Sequence, residues 1–163
     1  MAASPQSAKE KVVNLELDFE CCSFSRQITF NWFAVEKMKG GALVRLAWFG
    51  RNGGGDIHSF AFSSEGLRQL LSASGDYVKE FTAAPKAVAE LPDGRLLPPT
   101  YINFVQLSRS GEWAEMGFYV IQLSDIANVA RGQKKGKIKP IGIALAHSAG
   151  DMHEQLVLSL FAL

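Results

Sequence analysis

The chain of 163 residues and 17.8 kDa is the size of one ordinary domain, long enough to bury a core without disulfides or a metal. Its 17 Lys and Arg stand against 16 Asp and Glu, a formal net charge of +1, so no global field steers it to a polyanion. With 47% hydrophobic and 20% charged residues it falls in the globular class, which excludes disordered, collagen-like and disulfide-scaffold chains.

Residues 1–11 have no apolar segment of the kind a secretory signal needs and read as a flexible lead. No window offers the ~18 uninterrupted apolar residues of a spanning helix, so the expected location is cytoplasmic, with no membrane partner. Val13, Leu15, Leu17 and Phe19 then alternate with polar residues and predict a half-buried strand. Cys21 and Cys22 are neighbours, a spacing a disulfide reaches only with strain, and are read as reduced thiols. Gln27 to Lys37, rich in β-branched and aromatic residues, predicts a second strand, and Lys39-Gly40-Gly41 a hairpin turn before a third, Leu43 to Phe49. Gly50 to Asp56 is a second turn cluster and Ile57 to Phe62 a fourth strand.

At Ser63 the period changes. Leu67, Leu70, Leu71, Val78 and Phe81 share one helical face and predict a long helix over 63–82, with Ser63 or Ser64 as N-cap and Glu65 in its first turn. Residues 83–99, holding Pro85, Pro92, Pro98 and Pro99, read as a connector. In the second half, 100–163, Tyr101 to Leu107 and Trp113 to Gln122 form a hairpin, Ser124-Asp125 caps a short helix over 124–131, and Ile138 to Ala146 and Gln155 to Leu163 are read as strands. The fold class expected is thus α+β with mainly antiparallel sheet: a ββββα half over 12–82 and a ββαββ half over 100–163, packed as one unit. The halves share a layout, but with Ser63 set against Ser124 their apolar helix positions do not superpose, so an internal duplication stays open.

Chemistry is sparse. His58, His147 and His153 stand in no motif; Asp151 to Glu154 lacks the donors of a zinc site; no G-x-S-x-G is present. Gly50 to Asp56 opens no helix, and Gly132 to Ile138 has three residues between its glycines and Ile138 where a P-loop needs Ser or Thr. The chain is therefore read as no enzyme, with no cofactor and no metal. Its one charge feature is a basic loop, Arg131, Lys134, Lys135, Lys137 and Lys139, a candidate anion or nucleic-acid site. Trp32 and Trp48, on two neighbouring strands, are candidate stacking residues to go with it.

Residues 12–82, with the Gly40-Gly41 and Gly53-Gly54-Gly55 turns and Phe60-Ala61-Phe62-Ser63-Ser64-Glu65 leading into a helix, resemble in topology the strand-rich, single-helix units of PUR and Whirly-type single-stranded nucleic acid binders. That resemblance implies single-stranded nucleic acid as a partner; in the second half the expected chain end is a strand rather than the terminal helix of that pattern. The leading expectation is a non-catalytic binding or assembly protein that self-associates, with Leu158, Leu160 and Phe161 of the apolar last segment at the interface. Single-stranded nucleic acid binding is the alternative.

Overall fold

In the computed structural model, period-two patterning becomes strand and the change of period at Ser63 becomes helix. The structure describes residues 16–20, 22–51, 53–81, 93–130 and 138–163. In chain order the elements are β1 (Phe24–Thr29), β2 (Trp32–Met38), β3 (Gly41–Ala47), β4 (Phe49–Gly50), β5 (Gly53–Gly54), β6 (Asp56–Ser63) and α1 (Ser64–Val78). There follow β7 (Arg95–Leu96), β8 (Thr100–Ile102), β9 (Phe104–Ser110), β10 (Trp113–Val120), α2 (Leu123–Ala130), β11 (Ile141–Ala149) and α3 (Gly150–Phe161).

The chain divides into two units, and not at the proline-rich connector. One comprises Met1–Cys22 with Ile121–Pro140, the other Ser23–Val120 with Ile141–Leu163. In the smaller unit Leu17 and Ile138 form a parallel bridge in which Ile138 donates its amide to Glu16 and accepts from Asp18. This bridge is all that the described residues show of the strand expected from Val13. The Cys22 thiol donates to the carbonyls of Asp18 and Pro140, and burial raises its pKa despite Lys139 nearby.

In the larger unit, one sheet has the order β1-β11-β10-β9; the other runs β2-β3-β6, with β7 and β8 both paired to β6. The hairpins are antiparallel, but β1 joins β11, and β7 and β8 join β6, in parallel. The sheets are therefore mixed: mainly antiparallel, as expected, but not purely so. The reason lies at Phe30-Asn31, where the single strand expected over Gln27 to Lys37 breaks in two. The amide of Phe30 bonds to His147 in one sheet and that of Asn31 to Ala47 in the other, so the chain changes sheets at this step.

The second correction is the chain end. The strand expected over Gln155 to Leu163 is instead helical as far as Phe161, the end of α3, a third helix. A short apolar run does not by itself distinguish strand from buried helix; here His153, Leu156, Val157 and Leu160, all buried, fall on one helical face. The first helix spans Ser64–Val78, shorter than expected, with Ser63 Oγ accepting from the Gly66 amide at 3.0 Å. Its Leu70 is buried, and Leu67, Leu71, Val78 and Phe81 pack on the core.

With α3 recognised, the larger unit is four strands and a helix twice over: β1-β2-β3-β6-α1 and β8-β9-β10-β11-α3. The registers agree position for position. Val44 faces Phe60 as Met116 faces Ala146, and Thr100 lies beside Phe60 as Ile28 lies beside Ala146. Asn31 and Asn103 follow the two leading strands, and the hairpins after β2 and β9 both turn on a left-handed glycine, Gly40 at φ 86° and Gly111 at φ 63°. Each leading strand pairs with the last strand of the other half. Between the sheets, Phe60 and Phe118 stack at 4.4 Å, and Arg26 reaches across to sit 5.5 Å over Phe60 and bond Thr100.

Candidate functional site

Of the expected basic site, Arg131, Lys134, Lys135 and Lys137 lie outside the described residues, and Lys139 is exposed. Trp32 and Trp48 lie close in sequence to one finger, the loop through β4 and β5. Trp32 packs edge-on against Phe49 at 5.8 Å, while Trp48 is 51% exposed. Asn31 holds this finger by both ends of its amide, donating to the Phe49 carbonyl and accepting from the Phe49 amide, each at 2.8 Å. Asn31→Ala should cost about 1–2 kcal/mol in urea unfolding, the worth of those bonds, and increase acrylamide quenching of tryptophan fluorescence. An unchanged quenching constant would mean that the finger is held by something else.

The outer face of the β2-β3-β6 sheet is not an open aromatic platform. Strand alternation puts Ala34, Leu43, Ser59 and Ala61 on it, and all are buried. The other sheet is the open one. Its outer rows run Gln27, Leu145, Gly117, Gln106 and Thr29, His147, Glu115, Ser108 across β1, β11, β10 and β9, with Trp113 54% exposed at one end. A register shift between Phe118 and Tyr119 lays the Tyr119 ring over Gly117, where a Cβ would come within 2.7 Å of it, and aims its hydroxyl at Gln106 at 3.2 Å. His147 Nδ1 is 3.4 Å from Glu115. These rows carry amides, hydroxyls, an imidazole and a carboxylate but no Lys or Arg. Sequence reading passed over them, although the alternation Ser25, Gln27, Thr29 was there to be read.

A second polar cluster buries His153 and Glu154 beneath an exposed Arg109. Arg109 of β9 pairs with Glu154 of α3, and beside them His153 is fully buried with neither ring nitrogen hydrogen-bonded among the described residues. The Tyr77 ring meets His153 edge-on at 6.0 Å, its own hydroxyl buried and without such a partner. Burial, and then the Arg109 charge, push the His153 pKa down to about 4 against the pull of Glu154. Burial likewise raises Tyr77, opposed by Arg109. His58 is lowered, first by burial and then by Arg26.

The three expected interface residues separate. Leu160 is fully buried in the chain's own core and cannot face a partner, whereas Phe161 is exposed and Leu158 is half-buried. Among the described residues no three His, Cys, Asp or Glu gather as a metal site, and no helix is long and apolar enough to cross a membrane. Comparison with protein-family models, with curated proteins and with solved structures finds no match.

Proposed function

We propose that the chain is a non-catalytic binding and assembly protein that self-associates through the open face of the β1-β11-β10-β9 sheet. The observation that carries this reading is the character of that face. It presents two rows of mainly polar side chains, with the Glu115 carboxylate, no Lys or Arg and one exposed tryptophan, the composition of a polar, partly wet protein contact rather than of a phosphate-binding surface. A two-fold arrangement needs only one such patch, since each copy presents the same donors and acceptors. Light scattering across a concentration series should then give a mass that rises to a dimer or larger. Trp113→Glu should abolish that rise without lowering thermal stability by more than a degree or two, because Trp113 is exposed. A monomer at every concentration would overturn this reading.

Single-stranded nucleic acid binding is the second reading, supported by the exposed Trp48 on its finger and by the doubled ββββα layout to which the PUR and Whirly resemblance refers. It expects anisotropy of labelled single-stranded oligonucleotides to rise with protein, to fall steeply between about 50 and 200 mM salt, and to vanish when Lys134, Lys135 and Lys137 are all changed to Glu.

A further inference from the structure

The two halves of the larger unit differ at one pair of equivalent corners. Counted by register, Lys37 of β2 stands where Arg109 stands in β9, each opposite an alanine, Ala42 or Ala114. Counted from the N-caps Ser63 and Ala149, Leu67 and Arg68 of α1 stand where His153 and Glu154 stand in α3. In the second half this corner is closed: Arg109 pairs with Glu154, and Tyr77, from the end of α1, covers His153. In the first half the acid is replaced by Arg68, the histidine by Leu67, and the residue arriving from the end of α3 is Leu163. What results is a groove of about 310 Å³ lined by Lys37, Met38, Leu67, Arg68, Leu71 and Leu163.

The charges differ accordingly. One corner holds a cation and its carboxylate, with Asp151 in the first helical turn; the other holds two cations, with Glu65 in the equivalent turn bound to Arg68. The apolar floor of the open groove has no counterpart in the closed corner, where the aromatic ring and the imidazole sit.

The geometry points to a small amphiphilic carboxylate as the ligand of this groove: an acyl chain against Met38, Leu67, Leu71 and Leu163, and a carboxylate at Lys37 and Arg68, supplying the charge that Glu154 supplies in the other half. A volume near the lower limit for ligand pockets suits a short chain, and the charge of the rim selects an acid over the matching alcohol.

Octanoate and octanol, titrated into the full chain and followed by methyl and amide shifts in heteronuclear NMR, test this. Octanoate should bind saturably with shifts centred on Leu67, Leu71 and Leu163, and octanol about five- to ten-fold more weakly, the worth of a solvent-exposed charge pair or two. Lys37→Glu should weaken octanoate by about ten-fold or more, and so should Arg68→Glu, which installs in the groove the acid that the other corner already has. Met38→Trp, from a partly exposed position, should fill the groove and remove binding. Lys39→Glu, on the same hairpin but outside the groove, should change nothing. Absence of saturable binding, equal affinity for acid and alcohol, or equal losses in Lys39→Glu and Lys37→Glu would each overturn the assignment, with the amide spectra of the variants showing that they fold.

Discussion

Phe118→Ala should lower the free energy of unfolding by about 3–5 kcal/mol, the usual range for deleting a buried phenyl ring. Phe118 is fully buried in β10, stacked at 4.4 Å on Phe60 of the opposite sheet and 6.2 Å from Phe62. Its loss removes a contact that both sheets share, and the strands on either side, hydrogen-bonded along their length, cannot collapse into the void. Trp113→Ala, on the same strand but exposed, should cost about 0.5 kcal/mol or less. Urea unfolding of the two variants at constant m value gives the comparison. A Phe118→Ala loss below about 1.5 kcal/mol would mean that the sheets are not clamped at this ring.

Acid should destabilise the protein through His153, and His153→Leu should remove most of that sensitivity. The unfolded imidazole titrates near 6.5 and the buried one near 4. Between those values the unfolded chain binds a proton that the native chain refuses, so stability rises with pH across the window and falls as pH drops through it. From pH 7 to pH 4 the loss assignable to this residue is about 3 kcal/mol. His58 is shifted in the same direction and leaves a residual slope. Leucine is the residue that α1 carries at the equivalent place, Leu67, so the substitution asks the second half to accept what the first already holds. Urea midpoints at pH 4, 5, 6 and 7 for both proteins give the test. Parallel curves would show that His153 is hydrated or protonated in the native state.

Much of the fold was legible because its periods were clean. Leu67, Leu70, Leu71 and Val78 marked α1, and the glycine turns marked the hairpins. Where reading failed, the determinant was non-local. Phe30 and Asn31 are ordinary strand residues by type, and only their bonds to His147 and Ala47, in different sheets, make them a crossing point. Leu156, Val157 and Leu160 suit strand and helix alike, and the core against which they pack decides. That error hid the likeness of the halves, because the helix equivalent to α1 was sought at Ser124 rather than at Ala149. The open face was partly legible in the polar alternation of β1, but its partners Glu115 and His147 lie on strands far apart in sequence. The groove was not legible at all, since it is defined by comparison of Lys37 with Arg109 and of Arg68 with Glu154, pairs that only a register can align.

The exchange of leading strands also sets an order of events during synthesis. β1 leaves the ribosome more than a hundred residues before its neighbour β11 is made, whereas β6 waits only for the short β7 and β8. Until Ile141–Ala149 emerges, the backbone donors and acceptors of Phe24–Thr29 have no strand to join. The nascent chain thus carries an unsatisfied edge through more than a hundred residues of synthesis. A stall or truncation before residue 141 would leave that edge open for good, so fragments ending there should aggregate even though every residue of the first ββββα half is present.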